Sequence, residues 1–230
     1  MTILYKYLDL AKFTSLLQKE ALHFCRGDKF EDPFEGSYPL SAINIFNGGD
    51  NGYDSKEWRK FVAVSCWHKS DVESDAMWRL YTSNKQGVAI VTTVEKLKQA
   101  VDGHAYVKEV QYIDFIKDDA EILIPSDVFE YKRKAYIHEN EIRAIITKYP
   151  RMEIKNGMPE TSKPLPGKEI PKSGILIDLD LPLFIDKVIV TPYSESWFFD
   201  VIKGLAEKYN LPDGTVMESE LKVDPVYAKI

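Results

Sequence analysis

Hydrophobic and polar positions alternate with a period of two in ILYKYL (residues 3–8), which predicts a strand. The pattern then changes. In DLAKFTSLLQKE, Leu10, Phe13, Leu16 and Leu17 fall on one helical face, and Asp9 stands where an N-cap belongs. ALHFC reads as a second strand, FEDPFEG (30–36) as a shaped loop, and 41–60, with Gly48-Gly49 and Asn51-Gly52, as a loop or insertion. FVAVSCW (61–67) and GVAIVT (87–92) are unbroken apolar runs of the kind buried strands show. Between them, Asp75–Tyr81 predicts a helix with Met77, Trp78 and Tyr81 on one side, and Gly87 ends it.

Further on, a helix over about 94–101 and a strand pair in YVKEVQYIDF (106–115) are expected. Asp127 and Glu130 form a capping-box pattern ahead of VFEYKRKAYIH, which predicts a helix reaching residue 138. ENEIRAIIT (139–147) alternates again, with Ile142, Ala144 and Ile146 on one face and Glu139, Glu141 and Arg143 on the other. Five prolines mark 149–173 as a long loop or hairpin tip, followed by strands in GILIDLDL and DKVIVTP. A helix on SESWFFDVIKGLAEKY, capped by Ser194 or Ser196, and an edge strand in VMESELKV complete the pattern. Short strands with interspersed helices give an α+β class with a mainly antiparallel, strongly curved or split sheet and flanking helices, folded as a single domain over 1–230.

The 230 residues are 44% hydrophobic and 29% charged, which fits a globular chain and not a disordered one. A formal charge of -6 argues against general charge-driven binding to nucleic acid or membrane, and Lys132-Arg133-Lys134 reads as solvated surface. MTILYKYLDL lacks the features of a signal peptide, no window is apolar enough to span a bilayer, and the isolated Cys25 and Cys66 suit a reducing compartment; a cytoplasmic location is expected. Histidines at 23, 68, 104 and 138 show no zinc-like pairing, so no metal is expected.

The chemistry concentrates in HENEIR. Glu139, Glu141 and Arg143 are either surface charges at the start of a strand or the wall of a site. A fixed carboxylate can stabilise developing positive charge, and Arg143 can orient that carboxylate or bind phosphate. Asp32 and Glu35 in the DPFE loop are expected to bond backbone amides, with Phe34 as an anchor.

Four stretches, LYKY (4–7), FEDPFE (30–35), MWRLY to GVAI (77–90) and HENEIR (138–143), resemble in order and spacing the bacterial domain-of-unknown-function 2971 family. Two positions depart from its pattern. Glu31 stands where asparagine precedes Asp32-Pro33, and Cys66-Trp67 follows Ser65 where a phenylalanine precedes it. The same order is similar, more distantly, to the ADP-ribosyltransferase superfamily, in which a glutamate of an E-x-E pair grips the nicotinamide ribose of NAD. That resemblance implies an NAD-consuming enzyme of the toxin or antiphage-effector kind, with NAD as substrate and a protein or nucleic-acid acceptor. It makes Glu141 catalytic with Glu139 nearer the acceptor, and places Ser65 on the central strand and Lys6, beside Tyr5 or Tyr7, on the first. Tyr81, Trp78 or Trp67 would stack on the nicotinamide.

Two other readings fit the residues. Paired carboxylates also serve glycoside hydrolases, and a non-catalytic nucleotide-sensing or partner-binding module would need no turnover.

Overall fold

The computed structural model describes residues 1–46, 58–82, 85–148, 154–155, 158–159 and 169–224. In chain order its strands and helices are β1 (Ile3–Asp9), α1 (Leu10–Lys19), β2 (Ala21–Arg26), α2 (Leu40–Phe46), β3 (Val62–Lys69), α3 (Asp75–Tyr81) and β4 (Gly87–Thr93). There follow α4 (Val94–Ala100), β5 (Tyr106–Glu109), β6 (Gln111–Ile113), β7 (Tyr131–Arg133), β8 (Glu141–Thr147), β9 (Ile154–Lys155) and β10 (Met158–Pro159). β11 (Ile175–Asp178), α5 (Leu181–Phe184), β12 (Lys187–Val190), α6 (Ser196–Lys208) and β13 (Val216–Glu218) close the chain. The class is α+β, with strand pairs mostly antiparallel. These elements group into two compact units.

The first unit comprises Met1–Leu22, Trp67–Ala100 and Asp178–Ile230. Its axis is β4, antiparallel to β1 from Ile3↔Thr93 to Asp9↔Gly87 and antiparallel to β12 on its other side. Every residue of β4 is buried, which explains why its sequence is apolar throughout and does not alternate. Gly87 opens β4 and does not end α3: a Cβ there would lie 2.3 Å from Thr82 Cγ2 and 2.8 Å from the Leu8 carbonyl oxygen. α1 forms as the pattern predicts, since Asp9 Oδ1 accepts from Lys12 N at 2.7 Å and Phe13, Leu16 and Leu17 are buried. Each of those side chains contributes about 1.5–3 kcal/mol on burial.

At α6 the N-cap is Glu195, without a side-chain cap bond, and neither expected serine fills that place. Ser194 Oγ instead donates to the Thr191 carbonyl oxygen at 3.0 Å. The GILIDLDL strand stops at Asp178, because Asp180 caps α5. VMESELKV yields a strand only over Val216–Glu218, parallel to β12, and then a 3₁₀ turn at Glu220–Lys222.

The second unit comprises His23–Cys66 and Val101–Ile177. Here β8 pairs antiparallel with β5 and also pairs with β3, while β2 runs antiparallel to β3. Val62, Val64, Ile113, Val128, Phe129 and Ile145 form its core. YVKEVQYIDF does supply two strands, but they do not pair with each other: β5 joins β8, and β6 runs parallel to β7. The expected insertion at 41–60 begins inside α2 and ends in a 3₁₀ turn over Arg59–Phe61, with 47–57 outside the described residues. In the proline-rich segment 149–173, β9 and β10 pair antiparallel, and 149–153, 156–157 and 160–168 lie outside the described residues.

The largest departure from expectation lies at 127–139. The capping-box helix is absent; two 3₁₀ turns, Pro125–Glu130 and Lys134–Glu139, flank β7. Residues 128–132 are buried in succession, whereas an α-helix would hide one stripe and expose the rest. Asp127 works backwards, its Oδ2 accepting from Leu123 N at 2.9 Å and Ile124 N at 3.0 Å.

Candidate functional site

The turn into β8 assembles a group of charges within the second unit. Lys134–Glu139 is a 3₁₀ turn, so Glu139 ends that turn and does not share a strand face with Glu141 and Arg143, as the alternation implies. Asn140 links the two at φ 39° and ψ 62°, a left-handed conformation that asparagine tolerates better than most residues. β8 is buried from Glu141 to Ile146 without interruption. Glu141 keeps 3% of its exposure and Arg143 none, so these are not solvated charges at a strand entrance. Charges this deeply buried require ionic partners and hydrogen bonds.

Those partners come from two segments distant in sequence. Lys132 Nζ, on β7, lies 2.5 Å from Glu141 Oε1, 2.8 Å from Glu139 Oε2 and 3.2 Å from Glu35 Oε1. Arg143 grips Glu141 with two prongs, Nε to Oε2 at 2.9 Å and Nη2 to Oε1 at 3.2 Å, and gives Nη1 to the Phe129 carbonyl oxygen at 3.0 Å. Its Nη2 also stands 2.8 Å from Glu35 Oε2. Because that oxygen lies off the N–H directions, this last contact is a charge contact and not an aligned hydrogen bond. Tyr112 Oη accepts from Glu141 N at 2.8 Å. Aromatic rings back the cations, Tyr136 at 4.8 Å from Lys132 Nζ and Phe30 at 5.4 Å from the Arg143 guanidinium.

The two glutamates are driven in opposite directions. Burial raises Glu139, the neighbouring Glu141 carboxyl adds to this through its charge and a carboxyl–carboxyl hydrogen bond, and Lys132 only partly offsets them. For Glu141, burial also opposes ionisation, but Arg143 and Lys132 outweigh it and hold the carboxyl well below the usual range. Lys132 and Arg143 are raised because the surrounding carboxylates overcome the cost of burial. Two carboxyls with separated affinities for a proton can divide the work of electrostatic stabilisation and proton transfer.

Sequence reasoning missed Glu35 and Lys132. The DPFE loop does use Asp32 as expected, Oδ1 accepting from Phe34 N at 3.1 Å, but Glu35 turns to the two cations instead of to backbone amides. The basic run also divides. Lys132 is buried, Arg133 pairs with Asp32 at 2.8 Å, and exposed Lys134 pairs with Asp118 at 2.6 Å. Neither had a local signal: Lys132 stands in a basic run, and its burial beside Tyr131 shows only in the fold.

Ser65 is buried on β3 in this same unit. Lys6, Tyr7 and Tyr81 belong to the first unit. Lys6 Nζ sits 5.0 Å from the centre of the Trp67 ring. Tyr7 is buried edge-to-face against Trp78, its Oη accepting from Ser74 N at 2.9 Å, and burial raises its phenol. Tyr81 is 43% exposed at the end of α3, while Met77 and Trp78 are buried, so the three do not share one environment. Among the described residues no group of three His, Cys, Asp or Glu side chains is arranged to hold a metal ion, and no helix is long and apolar enough to cross a membrane.

The model of the family described as "Protein of unknown function (DUF2971)" matches residues 77–144, a span that runs from α3 to the Glu141–Arg143 end of β8. No curated protein sequence matches the chain. Among solved structures, DarT of Thermus sp. 2.9 in complex with NAD+ is similar with a TM-score of 0.46 and 6% identity, over 96% of each chain. The same DarT in complex with ADP-ribosylated ssDNA gives a TM-score of 0.45 and 7% identity, over 96% of this chain and 95% of that one. Scores of this size describe a loose correspondence of chain course.

Proposed function

We propose that this protein is an NAD-consuming enzyme of the ADP-ribosyltransferase kind. The observation that carries the reading is the carboxyl pair Glu139 and Glu141, held on one ammonium and driven apart in proton affinity. Breaking the bond between the ribose C1′ and the nicotinamide nitrogen sends the electron pair to nicotinamide and leaves positive charge on the ribose. Glu141, anionic over the whole physiological range, supplies a fixed negative field for that charge. Glu139 is the stronger base, and in its ionised form it takes the proton that the acceptor loses when its oxygen or nitrogen bonds to C1′. Arg143 has its N–H groups engaged on Glu141 and Phe129, which suits it to orienting the carboxylate and not to binding phosphate.

The resemblance assigns nucleotide recognition to Lys6, Tyr7, Ser65 and Tyr81, of which Tyr81 is exposed and Tyr7 and Ser65 are buried. The toxin or antiphage role implied by the resemblance accompanies the activity, and growth arrest on expression, relieved by Glu141→Gln, is its test. For the chemistry itself, nicotinamide release from NAD is measured for the wild type and for Glu141→Gln and Glu139→Gln. Release by the wild type that is lost in Glu141→Gln supports the reading; undiminished release in that variant removes it.

One observation favours a second reading, a nucleotide-binding module without turnover. Both oxygens of Glu141 are already held by cations, the arrangement of a structural ion network. A rise in melting temperature with NAD or ADP-ribose, without nicotinamide release, distinguishes this case. Glycoside hydrolysis fits poorly: the Glu139 and Glu141 oxygens, within 2.8 Å of one nitrogen, lie too close to admit the water of an inverting pair.

A further inference from the structure

We propose that the exposed face of α6 is the interface of a symmetric dimer, in which a second copy of this chain packs its own α6 antiparallel on the first. This surface belongs to the first unit, and its role is independent of the function proposed above.

α6 hides Phe198, Ile202 and Ala206 and turns a second stripe outwards. Trp197, Val201, Gly204 and Lys208 follow one another at steps of four, three and four, which on a helix of about 3.6 residues per turn lines them along one side. All four are exposed, Trp197 by 52% and Val201 by 40%.

Gly204 does not answer to its own chain. Its backbone is helical, where glycine is a weaker former than alanine, and a Cβ built on it would meet nothing within 4 Å. The missing side chain therefore serves neither a turn nor a close neighbour within this molecule. A notch in the middle of an exposed helix face lets a second helix approach closely.

The stripe selects its occupant. Steps of four, three and four read alike from either end, so a copy related by a two-fold axis and running the other way sets Val201 against the partner's Gly204 and Trp197 against the partner's Lys208, each contact made twice. In that register the valine fills the notch, and the ammonium lies on the indole face with its aliphatic stem along the ring. Glu195, whose side chain makes no cap bond, stands at the Trp197 end and offers the same ammonium a carboxylate. In the single chain Lys208 Nζ lies 5.6 Å from the centre of the Tyr209 ring, a poorer cation–π partner than tryptophan. Asp200, Lys203 and Glu207 bring both signs of charge to the flank, Lys203 and Glu207 pairing at 4.0 Å. A parallel copy would set Lys208 on Lys208 and Gly204 on Gly204, and an unrelated apolar helix would leave the lysine without a carboxylate or ring of the partner.

The contact is small. Two helices of 13 residues touch over about 20 Å, short of the roughly 800 Å² per partner of a standard interface, so the population of the dimer depends on concentration.

Sedimentation equilibrium of the full chain, at low salt and from micromolar to near-millimolar concentration, tests the proposal. The wild type should pass from 26.4 kDa towards twice that mass. Because position 204 is open in the single chain, Gly204→Gln should keep or raise the melting temperature of the dilute protein while weakening association by about tenfold or more. Lys208→Glu should weaken it as well, and added salt, which loosens the wild-type dimer, should tighten that of this variant by screening its repulsion from Glu195. If Gly204→Gln loses its fold, Lys208→Glu decides alone. A wild type that stays at 26.4 kDa throughout overturns the proposal, and so does a dimer that both variants leave equally tight.

Discussion

The aromatic cluster of the first unit and the charged cluster of the second both bury polar groups, and they satisfy them in opposite ways. Around Tyr5, Tyr7, Met77 and Trp78, the buried side chains are neutral. Tyr7 Oη takes the Ser74 N–H, 67 positions along the chain, and Trp78 Nε1 donates to Glu73 Oε2 at 2.9 Å, 5 positions away. Around Glu141 the groups are ions, and their partners come from the DPFE loop and β7. Neutral hydrogen bonds can fail one at a time. Buried ions cannot, because each ion left without its partner keeps the full cost of desolvation.

The contrast can be broken most sharply at Arg143. Arg143→Met should cost about 3–5 kcal/mol in urea unfolding, since it leaves Glu141 and Glu35 buried against Lys132 alone. Adding Glu141→Met should restore a large part of that loss; no recovery would mean the cost was one of packing. In the neutral cluster, Tyr7→Phe should cost about 1–3 kcal/mol by stranding the Ser74 N–H, with no need of a compensating partner. A loss as large as that of Arg143→Met would erase the distinction.

The pH dependence of stability sharpens the comparison further. The folded state raises Glu139 above its unfolded value, so between the two it binds more protons than the unfolded chain, and this group's contribution declines as pH rises through the raised value. Glu141 is depressed, so its contribution is present above the ordinary glutamate range and declines as pH falls towards its folded value. Thermal melts from mildly acidic to neutral pH should therefore show a decline that Glu139→Gln flattens and Tyr7→Phe leaves in place. A control outside both clusters is Asp9→Ala, which removes the α1 cap and should cost about 1 kcal/mol near neutral pH.

How far the sequence disclosed all this depends on how local each cause is. α1 was legible because Asp9, Phe13, Leu16 and Leu17 state cap and face within nine residues, and β4 because burial on both sides demands an unbroken apolar run. HENEIR was legible as a concentration of charge. Its geometry was not, since the left-handed turn at Asn140 moves Glu139 off the strand without altering the alternation. Lys132 and Glu35 were hidden for a different reason. A lysine within KRK looks solvated until β7 is known to lie beside β8's charges, and Glu35 joins them from roughly a hundred positions away. The 127–139 helix misled because its capping pattern is real, but five consecutive buried residues cannot share one helical stripe.

The central claim is that Glu141 provides the negative field under which NAD loses nicotinamide. Its most direct test is the rate of nicotinamide release from NAD by the full chain and by Glu141→Gln, an isosteric change that removes the charge. The account predicts release by the wild type and a loss of at least a hundredfold, about 2.7 kcal/mol or more of transition-state stabilisation, in the variant. Equal rates in the two folded proteins would contradict it.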